Sequence, residues 1–344
     1  MYSKRVLAAI LILSILLTVN IQDIYSQGRP SGPKTILPEK LVNDLINELS
    51  GSLALNHIIE LGAYNRDRLK SEYEGTYWES EYTEKMAKFY GLSDVHIEKL
   101  EGLKIFGAKQ WDAEVGELWL VGPDGEKLII SHRDEPACLA GGSKTADVTA
   151  DLVFAGDGTK QKDYENIDVT GKIVLATGAG GSWGGSMAQT YRWAVREKGA
   201  LGVICFKNLK PFENPDQIPW AGISGFGGTE VKEGTFGFNL PHKIGYKLME
   251  RLLKGDKIKV RANVKTASYE TDEEIPTAVI PGKSKEEVVY TAHLFEGVTK
   301  QGAIDDFSGC AVLLDVGRTL VKMIAEGKLP QPETENLVRI TGTG

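Results

Sequence analysis

The stretch "VVYTAHLFEGVTKQGAIDDFSGCAVLLDVGRTL", Val288 to Leu320, decides how this chain is read. It opens with β-branched and aromatic residues, as a strand does, and ends that run on His293. Twelve positions later Asp305 stands before an apolar segment of helical period. That period predicts a helix over 307–326 with Cys310, Leu313, Leu314, Leu320, Val321 and Ile324 on one face. Beyond it, "ENLVRIT" reads as another strand, starting near Asn336. Two strands joined by a helix form a parallel pair, and ligands of such sheets gather at the strands' carboxyl ends. His293 lies at one such end, and Gly302 permits a tight turn before the helix. A histidine there and a carboxylate on the next turn can converge on a cation, since zinc takes imidazole nitrogen and carboxylate oxygen. A carboxylate at a helix start also gains from the helix dipole. Spacing alone admits a second reading, in which Asp305 or Asp306 merely caps the helix and His293 is a satisfied strand-end histidine.

Outside this stretch, composition narrows the field. The chain has 344 residues, 42% hydrophobic and 25% charged, which suits one large or two modest domains. The net charge of −7 is mild, and no basic block with interleaved aromatics stands out, so nucleic-acid binding has no support. At the N-terminus Lys4 and Arg5 precede the uncharged run "VLAAILILSILLTV" and then polar residues, with small Ser26 before a plausible cut. This is the layout of a secretory signal peptide over residues 1–26, and the run is short of the roughly 20 residues of a spanning helix. The expected location is therefore secreted or periplasmic, with no membrane role beyond the signal. The cysteines Cys138, Cys205 and Cys310 match neither a zinc ribbon nor a disulfide scaffold and read as small buried apolar residues.

Between the two ends, residues 38–90 read as helical. Leu41, Leu45, Ile46 and Leu49 share one face; Tyr82, Met86 and Phe89 share another, stopped by Gly91. "VHIEKL" and the two halves of "GELWLVGPDGEKLIIS" read as strands, the latter joined by a Pro-Asp-Gly turn. From Val148 the pattern is strand, strand, glycine-rich loop, helix stopped by Gly199, then the buried strand "LGVICF". Residues 211–239 are rich in proline and glycine and read as loops; "KIGYKLMERLLKG" is a helix and "KIKVRANVKTASY" an alternating strand.

"TAHL" followed by "GAIDDFSG" and an aliphatic helix resembles the core signature of the di-zinc aminopeptidase family that includes glutamate carboxypeptidase. "GDGTKQKDYENIDVTGKIVLATG", a helix and "KGALGVICF" resemble the protease-associated domain often found inserted in such peptidases. The resemblances cover roughly residues 140–320, in the family's order. They imply that His293 is a ligand of one zinc and Asp305 the carboxylate bridging two. They also imply a glutamate general base and three further ligands, for which this sequence has no positions; the expectation is of a C-terminally truncated chain that is inactive as it stands. The family usually carries an aspartate two residues after the first histidine to orient it. Here that position is Phe295, and the neighbouring Glu296 is the candidate substitute.

The glycine-rich loop "GAGGSWGG" fails the dinucleotide and Walker patterns, but Gly180 to Gly184 fits G-x-S-x-G. That keeps a serine esterase using Ser182 with His242 or His293 as an alternative, and a non-catalytic binding protein on the same scaffold, like the transferrin receptor, as another. The expected fold is α/β: an incomplete zinc-peptidase-like parallel or mixed sheet with helices, plus an inserted protease-associated β-rich domain. The expected parts are a signal peptide (1–26), the start of the peptidase-like domain (27–145), the insert (146–269) and the zinc-binding segment (270–344). The expected function is exported, zinc-dependent hydrolysis of peptide or protein substrates.

Overall fold

The computed structural model describes residues 37–63, 76–100, 110–179, 186–208, 210–224, 230–269, 272–294 and 302–341. The expected signal segment, Glu296 and Ser182 all lie outside the described residues. Two units divide the chain, Met1–Leu49 and Ser50–Gly344. In the first, helix α1 (Glu39–Glu48) buries none of its side chains, and Ile46 is 62% exposed. Among the described residues no helix is long and apolar enough to cross a membrane.

The second unit is mixed α/β. In chain order it runs α2 (Gly51–Gly62), α3 (Trp78–Phe89), β1 (Ser93–Leu100), β2 (Gln110–Gly122), β3 (Gly125–Ser131), β4 (Ala146–Phe154) and β5 (Ile173–Ala176). There follow α4 (Ser186–Tyr191), β6 (Gly202–Cys205), β7 (Phe236–Asn239), α5 (His242–Leu253) and β8 (Ile258–Tyr269). β9 (Glu273–Ile280), β10 (Glu287–His293), α6 (Phe307–Ala325) and β11 (Glu335–Thr341) complete it.

A seven-stranded sheet has the order β3-β2-β8-β4-β5-β6-β7, antiparallel up to β4 and parallel from there. The strand pair Gln110–Ser131, which precedes the expected boundary at 146, joins this sheet through β8. β5 and β6 read as unbroken apolar runs because both their faces are covered. Ile173, Leu175 and Ile204 enter a core with Phe236, Phe238 and the alternating Ile258, Val260, Ala262 and Val264 of β8. Val174, Val203 and Cys205 enter a second core with Met187 and Tyr191 of α4. β7 departs from the loop expected of a stretch rich in glycine and proline: its four residues "FGFN" form a strand and all four are buried. The three cysteines are free and buried, as expected, and burial pushes the Cys205 thiol up to about 12.

A four-stranded sheet has the order β1-β9-β11-β10. β10 and β11 pair in parallel, as the strand–helix–strand reading requires, and His293 stands opposite Thr341 where both strands end. α3 differs from its expected packing. Thr83 and Ala87 are buried, with Tyr82 and Met86 partly so, while Phe89 is 78% exposed and outside the core. The core here joins Leu61, Ala87, Leu92, Ala278 and Ala292 to Phe307, Cys310 and Leu314 of α6.

Candidate metal centre

β10 forms because Val288, Val289, Tyr290 and Thr291 favour extended backbone, and it ends on His293 between two buried neighbours, Ala292 and Leu294. The chain re-enters at Gly302, whose φ of +71° is the left-handed conformation only glycine takes without strain, and whose carbonyl accepts from the Phe307 N–H. α6 then starts, with Asp306 as its N-cap: Oδ1 accepts from the Gly309 N–H at 3.2 Å. Gly309 must be glycine for this, because a Cβ there would lie 2.4 Å from that oxygen.

The two readings of the sequence are thereby divided between two aspartates. Asp306 is the cap. Asp305, one residue earlier and 59% exposed, places Oδ1 3.0 Å from Nε2 of His293, whose ring is 31% exposed. The peptide between the two aspartates is cis. In this arrangement the imidazole and the carboxylate stand within hydrogen-bond reach. A zinc ion held by one nitrogen and one oxygen at about 2.0–2.2 Å in a tetrahedron would set them about 3.3 Å apart. The pair therefore fits two positions of one zinc with a shift of tenths of an ångström, and both groups are open to solvent. The second aspartate also reaches back: Oδ2 of Asp306 accepts from the His293 N–H at 3.1 Å, and the Cys310 thiol donates to the His293 carbonyl at 3.3 Å. The sequence pattern marks Asp306 only as a possible cap and Cys310 only as a core residue.

The other histidines stand apart from this pair. His57 is 1% exposed, with Nδ1 2.7 Å from the Tyr82 hydroxyl and Nε2 2.9 Å from that of Tyr90. Burial lowers its pKa, against the pull of nearby Asp315, and the same burial pushes Tyr82 up to about 12. His96 lies beside Asp94 and Glu98 on β1; His132 bonds the Pro136 carbonyl; His242 opens α5 against Phe206 and Tyr246. Among the described residues no group of three or more His, Cys, Asp or Glu side chains is placed to hold a metal.

No family profile matches the chain, and no curated protein sequence does. Solved structures do match. A peptidase M28 precursor from Shewanella amazonensis SB2B aligns with a TM-score of 0.63 and 17% identity, over 88% of this chain and 66% of that one. A zinc aminopeptidase from Bacillus subtilis gives 0.58 and 20%, over 86% and 62%. An aminopeptidase from Aneurinibacillus sp. strain AM-1 gives 0.52 and 19%, over 88% and 64%. At these identities the likeness is one of fold: the chain has a zinc-aminopeptidase-like α/β fold. It spans 62–66% of the length of these structures.

Proposed function

We propose that the chain belongs to an exported zinc-dependent peptidase that cleaves peptide bonds near a free terminus. The observation that carries this is the His293–Asp305 pair, 3.0 Å apart at the carboxyl end of β10, on a fold shared with zinc aminopeptidases. His293 and Asp305 would hold zinc, which when bound polarises a carbonyl and lowers the pKa of a bound water. The chain's own contribution is positional. β10 brings the imidazole to the sheet's end, α6 brings the carboxylate, and their partial exposure admits a substrate from solvent. Glu296 stays a candidate partner for the histidine ring. Cobalt(II) titration followed by visible absorption tests the site. Binding should be lost in both His293→Ala and Asp305→Ala; binding unchanged in both variants would overturn the reading.

The seven-stranded sheet is proposed as the inserted protease-associated unit, extended from 146–269 to take in the strands of 110–131. Its support is the pair of cores on the two faces of β5 and β6. Limited proteolysis should leave a resistant fragment of about residues 110–269, while the region around Val288–Tyr290, 42–48% exposed, is cut early. Equal persistence of both regions would count against a separate insert. Export predicts a mature protein starting near Gln27, read by mass spectrometry; an intact Met1 on cytoplasmic protein would exclude it.

A further inference from the structure

We infer that Asp306 is a positioning residue for the metal ligand His293, acting through the main chain rather than through the ring. The inference rests on the proposed zinc site. Its starting point is the position two residues after His293, which holds Phe295 where a carboxylate was expected to orient the imidazole. The structure supplies a different device. Both main-chain polar groups of His293 are held by the first turn of α6: the N–H by Oδ2 of Asp306, the carbonyl by the thiol of Cys310. The same Asp306 carboxylate uses Oδ1 to cap α6 through Gly309. One carboxylate thus fastens the end of β10 to the start of α6, and the two ligands, His293 and Asp305, sit on either side of that fastening. Ala292 and Leu294, 7% and 2% exposed, fix the strand on both flanks of the histidine. With backbone and flanks held, the imidazole retains little freedom beyond its two side-chain torsions, and Nε2 is delivered to Asp305. Cys310 adds to this only weakly, since a thiol is a poor donor.

The predicted separation of roles rests on the chemistry of one substitution. Asp306→Asn keeps an oxygen to cap the helix, where asparagine serves as well as aspartate. It replaces the other oxygen with an amide NH2, which cannot accept from the His293 N–H. The full chain is titrated with cobalt(II), read by visible absorption, alongside circular dichroism and amide exchange of the metal-free protein by NMR. Asp306→Asn should retain its helix content, exchange the His293 amide faster, and bind cobalt about tenfold more weakly, at the lower end of what outer-shell losses cost metal sites. The deficit should persist in 1 M salt, which weakens the solvent-screened part of the lost charge while leaving the lost hydrogen bond untouched. Affinity within twofold of the parent, an unchanged His293 amide, or a deficit erased by salt each overturns the inference. If the parent chain itself shows no cobalt binding that His293→Ala abolishes, the zinc reading fails first and this inference falls with it. If the parent binds and Asp306→Asn equals it, only the inference fails.

Discussion

β5 and β10 are made of the same kinds of residue and meet opposite fates. "IVLA" of β5 is buried at every position, while Val288, Val289 and Tyr290 of β10 are 42–48% exposed. Successive strand side chains point to opposite faces, so those three exposed positions show β10 open on both. Position in the sheet makes the difference, not composition. β5 lies between β4 and β6 with a core on each face; among the described residues β10 is the outermost strand of its sheet. The larger sheet thus buries the middle of its parallel strands on both faces, while the smaller sheet keeps its core under α6 and carries the candidate chemistry at the open end of β10. A ligand pair needs solvent and substrate access, which a strand buried like β5 would deny it.

The widest gap between the two regions should appear in paired substitutions. Phe236 of β7 is fully buried against Phe238, so Phe236→Ala should cost about 3–5 kcal/mol. Val289→Thr in β10 keeps shape and β-branching at a half-exposed site and should change stability by no more than about 0.5 kcal/mol. Urea unfolding of both variants checks this. A Val289→Thr cost near that of Phe236→Ala would mean that β10 is covered in solution and would break the comparison.

A second test concerns how the smaller sheet's helices are anchored. Asp315 of α6, 4% exposed, accepts from the Ser50 N–H at 2.8 Å, just before α2, and from Arg318 Nε at 2.9 Å. A nearly buried ion pair therefore ties α6 to the residue before α2, whereas the helix α4 of the larger sheet is tied by the neutral pair of Tyr191 and Thr235 hydroxyls, 2.8 Å apart. Removing one member of a buried ion pair strands the other. Asp315→Ala should therefore cost roughly 3 kcal/mol, measured by urea unfolding. A loss under about 1 kcal/mol would place this pair with ordinary surface bridges.

Much of the candidate site was legible because its determinants are local. The β-branched run before His293, the glycine turn and the helical period after Asp306 lie within some thirty residues, and each predicts its own backbone. Spacing alone leaves the division of labour between Asp305 and Asp306 open, since both can cap; the resemblance names Asp305, and the turn geometry sets that residue against the imidazole. β7 escaped because its burial comes from partners distant in sequence: Phe236 and Phe238 pack on β8 and α5 residues, which no local pattern announces. α3 departs from its pattern for the same reason. The aromatic stripe predicted Phe89 inside, but the helix turns Thr83 and Ala87 inward, and Tyr82 goes to the His57 ring through its hydroxyl. Hydrophobic periodicity counts side chains; it does not see a hydrogen-bond partner on another helix.

The smallest expected effect is also the one that distinguishes the two regions by pH. His57 is buried beside α6 with tyrosine hydroxyls on both ring nitrogens, and burial lowers its pKa from the usual 6.5. The charged and titratable groups around it are Tyr82, Tyr90, Asp315 and Glu60, with Arg318 beyond Asp315. The Asp315 charge favours the protonated ring, but desolvation outweighs it. Between the lowered folded value and about 6.5, the unfolded chain takes up a proton that the folded chain refuses. The contribution of this group is therefore fully present above about pH 6.5, declines as pH falls below it, and is completely lost once the folded value is passed. His57→Gln retains hydrogen-bonding capacity without a titration, so its stability should be flatter than the parent's from pH 6.5 downward. Asp315→Asn, which removes the opposing charge, should lower the folded value further and widen the window. Urea unfolding from pH 7.5 to 5 separates these cases. An undiminished slope in His57→Gln would assign the acid sensitivity to another group and remove this buried histidine as a distinguishing feature of the smaller sheet.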